Sequence, residues 1–125
     1  MTSLRAQLEA QLKTDWATIP ALAGVRVIAT EAQLDTPTQP TLLLRVKRVG
    51  KSPAAAMSHR RHEVLATLIS SLEDVDQAMD QLDDLLEAAL GYFDTRYLHG
   101  GADVVGYGAE RLAVDIPLSV IHPKA

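Results

Sequence analysis

The pair His59 and His62, in the run HRRH, is the chain's nearest approach to a metal-binding or acid–base constellation. Imidazoles three apart suit a metal ion when both sit on one face of a helix. Here the flanking residues read as a loop running into a strand, where positions three apart turn away from each other. Only Glu63 lies close enough in sequence to add a ligand, and there is no cysteine. His99 and His122 fall in turn-like and terminal surroundings, which predicts exposed side chains. There is no G-x-S-x-G elbow, no phosphate-cradling glycine loop and no paired-carboxylate signature. The glycines of GADVVGYG are wrongly spaced for a dinucleotide loop. These residues point away from an enzyme, and from any cofactor or bound metal.

The chemistry that remains is charge. Residues 45–63 hold six basic side chains (Arg45, Lys47, Arg48, Lys51, Arg60 and Arg61) and no acid before Glu63. Residues 73–94 hold eight acids and no base. Asp76, Asp80, Asp83, Asp84 and Glu87 recur at the three- and four-residue spacings of one helix face. The helix dipole favours acids in the first turn, which accounts for Glu73, Asp74 and Asp76 but not for Asp83, Asp84 or Glu87. Like-charged pairs at these spacings cost about 0.2–0.5 kcal/mol each, and no cation on the helix relieves them.

Two readings of the acidic face stand side by side. It is a solvated surface that aids solubility, or it meets cations from elsewhere. The basic block supplies such cations at the ends of two adjacent strands and in the loop between them. Docked on the acidic helix of a second copy, it makes a head-to-tail contact, which generates a ring if the rotation closes. The expected interface residues are then Arg45, Lys47, Arg48, Lys51, Arg60 and Arg61 on one side, and Asp80, Asp83, Asp84 and Glu87 on the other. The basic hairpin is otherwise simply solvated, or touches the phosphates of a nucleic acid. A formal charge of −4 and the lack of aromatics among the basic residues weigh against a nucleic-acid-binding module.

The elements that must position these charges follow from periodicity. Residues 3–16 predict a helix, with Ser3 as N-cap and Leu4, Leu8, Leu12 and Trp16 along one face. Its outer face carries Arg5, Glu9 and Lys13. VRVIAT (25–30) and TLLLRVKRV (41–49) predict strands, the second with Leu42, Leu44 and Val46 on one face and Arg45 and Lys47 on the other. TPTQP (36–40) predicts a loop, and GKSPAAAMS (50–58) a mobile one. RHEVLATLISSL (61–72) predicts a third strand, with Val64, Ala66, Leu68 and Leu72 on one side.

A second helix starts at the cap Asp74, with Gln77 completing a capping-box pattern. Its apolar stripe includes Val75, Met79, Leu82, Leu86 and Phe93. Tyr92, Phe93, Tyr97 and Trp16 read as core or interface aromatics. ADVVGYG (102–108) is left open as strand or loop. RLAVDIPLSVI (111–121) alternates strictly, and its Pro117 places it at a sheet edge or beside a bulge. The resulting fold class is α+β, a two-layer sandwich in the order α-β-β-β-α-β-β. Two helices cover one face of a mainly antiparallel sheet of four or five strands. The other face, with Arg45, Lys47, Asp115 and Ser119, is expected to meet solvent or a partner.

With 125 residues, 47% of them apolar, residues 1–125 are expected to form one domain. The start lacks the pattern of a signal peptide, and no apolar run reaches the length of a membrane helix. That predicts a soluble protein made in a cytoplasm, with no membrane partner.

The run of segments resembles the tail terminator (tail-completion) proteins of long-tailed bacteriophages, especially phages of actinobacteria. The matching stretches are LRAQLEAQLKTDW, VRVIAT, PTLLLRVKRV, the loop KSPAAAMSHRRHEV leading into LATLIS, AMDQLDDLLEAAL and RLAVDIPLSV. The resemblance implies a structural virion protein that assembles as a hexameric ring. Such a ring caps the tail tube, ends its growth and offers the surface for head joining. Its partners would be other copies of itself, the tail-tube protein and the head–tail connector, with DNA only as passing genome. Its place would be the head-proximal end of the tail, after assembly in the host cytoplasm. The resemblance also implies that the loop from Gly50 to Ser58 orders on assembly. A connector or neck protein is the neighbouring reading.

Overall fold

A computed structural model describes residues 3–30, 38–50, 59–107 and 111–123. In chain order the elements are α1 (Leu4–Trp16), β1 (Arg26–Ala29), β2 (Thr41–Gly50), β3 (His59–Ile69), α2 (Val75–Asp94), β4 (Leu98–His99), β5 (Asp103–Tyr107) and β6 (Arg111–Pro123). The sheet order is β1-β2-β3-β6-β4, with β5 also paired to β6. β1 runs parallel to β2, and every other pairing is antiparallel. The α+β class and the element order match the expectation, and the two-residue β4 is an addition to it.

Strand alternation builds the main core. Leu42, Leu44, Val64, Ala66, Leu68, Val114, Ile116, Leu118 and Val120 share one sheet face. They join a single buried cluster with Leu4, Leu8, Leu12 and Trp16 of α1 and with Leu82, Ala89, Tyr92 and Phe93 of α2. Both helices therefore cover the same face. Burying each such large side chain contributes roughly 1.5–3 kcal/mol.

The caps act as their residue types predict. Ser3 Oγ accepts from the Ala6 amide at 3.2 Å, and Asp74 Oδ1 accepts from the Gln77 amide at 3.0 Å. The third strand stops at Ile69, short of the expected Leu72, because its next residues turn to meet α2. The Ser70 hydroxyl donates to Gln81 Oε1 at 2.7 Å, and the Ser71 amide donates to the same oxygen at 3.2 Å.

The far sheet face differs from the expected solvent- or partner-facing surface. Leu43, Ile69 and Ala113 are buried there, with Ile28, Val105 and Tyr107 packed on them. Beside this second cluster runs a polar ladder across three strands. Arg45 Nη2 donates to Thr67 Oγ1 at 3.2 Å, and that hydroxyl donates to Asp115 Oδ1 at 2.7 Å.

Residues 103–107 are a strand, so β6 is flanked on both sides and is no edge. Pro117 is accommodated by a break in the outer neighbour. The Gly100 amide donates to the Pro117 carbonyl at 3.0 Å. A strand residue's nitrogen points the same way as its carbonyl, so the missing N–H of Pro117 faces the interval between β4 and β5. A Cβ on Gly100 would lie 2.9 Å from Pro117 Cγ, which explains a glycine at that crossing.

At its C-terminal end α2 is locked to α1. The Trp16 ring lies 6.1 Å from Tyr92 and 6.0 Å from Phe93, centroid to centroid. The Tyr92 hydroxyl donates to Asp15 Oδ2 at 2.5 Å, and the Arg96 guanidinium lies 4.2 Å from the Tyr92 ring centre. Burial, then the bond to Asp15, pushes the Tyr92 phenol well above its ordinary pKa.

Candidate interaction surfaces

The acidic surface is built by the register of α2. Its leucines and aromatics face the sheet, which leaves Asp76, Asp80, Asp83, Asp84 and Glu87 exposed on the opposite side. None of these five carboxylates forms an ion pair among the described residues. Gly91 extends the same stripe, falling four residues beyond Glu87 and seven beyond Asp84. It is exposed, and a Cβ there would meet nothing within 4 Å. Glycine inside a helix costs about 0.8–1.0 kcal/mol relative to alanine. Nothing among the described residues requires it.

The basic surface owes its shape to a β-bulge. Val46 pairs with Val64, but Arg48 pairs with Glu63, so Lys47 is an extra residue in β2. Two residues of the bulged strand then oppose one of its partner. Lys47 and Arg48 gather beside Glu63 and Arg61 on the sheet face away from the helices, where Arg61 donates to Glu63 at 3.1 Å. Simple alternation had placed Lys47 but gave no warning that Arg48 would join it.

The remaining expected residues divide. Arg45 lies deeper, half-buried and bonded to Thr67, so it belongs to the polar ladder more than to an exposed tip. Arg60 is exposed, but it pairs with His122 one position beyond Arg61 and falls on the other strand parity. Lys51 and the rest of the loop at 51–58 lie outside the described residues, as do residues 36–37 of the expected TPTQP loop. His59 and His62 are both residues of β3, and the side chain of His59 lies outside what the structure describes. Among the described residues no group of three or more potential ligands gathers in a metal-like cluster. No described helix is long and apolar enough to cross a membrane.

The two charged surfaces lie on opposite layers of the subunit: the acids stand on the side of α2 turned away from the sheet, and the basic cluster stands on the sheet face that neither helix covers. Gln81, in the middle of the acidic stretch, is tied to Ser70 and Ser71 just past the end of β3. Arg60 and Arg61 stand at the start of β3. At roughly 3.3 Å per strand residue Gln81 lies about 30 Å from Arg61 along the strands, and the later acids lie nearer that end because α2 runs back toward β4. Opposite charges so far apart barely sense each other, since the Debye length is about 8 Å at physiological salt.

One histidine departs from the sequence expectation. His99 is drawn in, with Nδ1 against the Gly100 carbonyl at 2.9 Å and Nε2 against the Asp94 carboxylate. Two acceptors on one imidazole suit the doubly protonated ring. The Gly100 carbonyl and then Asp94 raise its pKa above the ordinary histidine value. The signal was local: an acid five residues upstream, at the end of a helix with no basic residue in its last turn. Two exposed aliphatics were also missed, Leu98 at 79% and Ile121 at 46% accessibility. No protein-family model matches this sequence, and no curated protein matches it.

Proposed function

We propose that the protein is a structural subunit whose copies join head to tail into a closed ring that serves as a phage tail terminator. The ring would cap the tail tube, end its growth and present a surface to the head connector. The observation that carries the self-association reading is the polarity of charge. An acidic helix face without ion-pair partners among the described residues stands on the outer side of α2, and a bulge-gathered basic cluster stands on the opposite layer, on the sheet face that neither helix covers. A chain cannot pair these surfaces with itself, but identical copies can pair them with each other in one orientation. Such complementarity mainly sets orientation and encounter rate. The ring and its place on a tail rest on the resemblance of the segments to tail terminators.

Sedimentation and electron microscopy of the purified protein test this reading. Closed rings are expected at low ionic strength and high protein concentration. Salt should shift them toward monomers, because the contact is made by exposed charges. A monodisperse monomer at low salt and at every accessible concentration would count against it.

A further inference from the structure

We propose that a second copy seats the acidic face of its α2 in a groove beside β4, with Leu98 of the first copy packing over Gly91 of the second. This deepens the self-association reading, on which it rests, by naming the receiving surface and its anchor. The groove encloses about 760 Å³ and is lined by Lys47, Arg61, Leu65, Leu98, Pro117 and Ile121 among others.

Its floor follows from strand register. Leu98 sits opposite Ser119, on the sheet face shared with Pro117 and Ile121, and Leu65 sits opposite Pro117. A single exposed leucine is ordinary on a protein surface. Here two exposed aliphatics adjoin two more apolar residues in one concavity, on the sheet face that neither helix covers. Lys47, Arg48 and Arg61 stand at one end of this floor against the single Glu63. The floor alone would accept many apolar surfaces. The positive rim selects one that carries acids.

The chain's own α2 is such a surface. Asp80, Asp84, Glu87 and Gly91 follow one another at spacings of four, three and four residues, a single exposed row. The row from 80 to 91 is about 16 Å long at 1.5 Å per residue. Gly91 leaves a notch at the end of that row, with open space above it. A protruding leucine on one surface and a notch bordered by acids on the other are complementary in both shape and charge. Neither is accounted for by a contact among the described residues. Contact between different patches of two copies is heterologous, as a ring requires.

The absence of cysteine makes a clean test possible. Full-length Leu98→Cys protein is mixed with full-length Gly91→Cys protein under mild oxidation at low salt, with one of the two tagged so that species can be told apart by mass. Each chain then has one thiol, so every disulfide joins two molecules. The 98–91 disulfide should dominate over 98–98 and 91–91, and pairing Leu98→Cys with Thr14→Cys on exposed α1 should give little. In parallel, Leu98→Asp and Gly91→Leu should each weaken self-association about tenfold or more while remaining folded by circular dichroism. If the wild type assembles but the mixed disulfide is no more frequent than the control, or both variants assemble normally, the groove assignment is overturned and self-association stands. If the wild type never associates, both fall.

Discussion

Replacing Gln81 by methionine removes its side-chain amide while keeping the side chain's length, and it tests what holds the acidic helix in place. Gln81 Oε1 accepts from the Ser70 hydroxyl at 2.7 Å and from the Ser71 amide at 3.2 Å. Ser70 is wholly buried, so its hydroxyl cannot turn to water. A buried donor left unpaired costs about 1–3 kcal/mol, and a typical lost bond about 0.5–1.5 kcal/mol. Ser71 is only half-buried, and water compensates part of its loss. The sum is about 2–3 kcal/mol, or a melting temperature lower by roughly 6–15 °C for a domain of this size. The assay is urea and thermal unfolding of four proteins: wild type, Gln81→Met, Ser70→Ala and the double variant. Once the Ser70 hydroxyl is gone, Gln81→Met should cost less, with a coupling of about 1 kcal/mol or more. A Gln81→Met protein within about 0.5 kcal/mol of wild type, or strict additivity in the double variant, would refute the reasoning.

Two further substitutions probe the junction of α2 with the sheet. His99 has a folded-state pKa raised above 6.5, so its stabilising contribution is complete below that value and is lost as pH rises through the folded-state pKa. Unfolding midpoints measured from pH 6 to pH 8 should therefore fall for the wild type and stay flatter for His99→Gln; parallel curves would contradict the assignment. Gly100→Ala should destabilise by about 1–2 kcal/mol through contact with the Pro117 ring, and the loss should shrink in a Pro117→Ala background. Equal losses in both backgrounds would show that the ring is not the cause.

The elements with long, regular patterns are legible in the sequence. The leucine spacing of α1 and α2 and the strict alternation of β6 each predict residues that lie in or against the core, whereas Val75, expected on the α2 stripe, is exposed in the first turn. What stayed hidden depended on partners distant in sequence. The bulge at Lys47 exists because two residues of β2 face Glu63 on β3, and no pattern within β2 reports that. β4 is only two residues long and is defined wholly by its pairing with β6. The second cluster around Leu43, Ile69 and Ala113 did leave a trace. The unbroken LLL of β2 and the LI ending β3 are apolar on both faces, a sign of strands buried on both sides. Of the charged residues, the acidic face of α2 was readable from spacing alone. The basic set was readable as a composition but not as a shape, since Arg45 is absorbed by Thr67 and only part of the rest gathers on one surface.

The most direct test of head-to-tail charge pairing is a mixing experiment followed by sedimentation velocity at low salt. One protein carries Asp83→Lys and Asp84→Lys, and the other carries Lys47→Glu and Arg48→Glu. Each alone has one surface that repels its own complement, so each should remain monomeric. Mixed one to one, the intact basic surface of the first meets the intact acidic helix of the second, and association should return. Wild-type-like assembly by either protein alone, or a mixture that stays monomeric when the wild type assembles, would contradict the account.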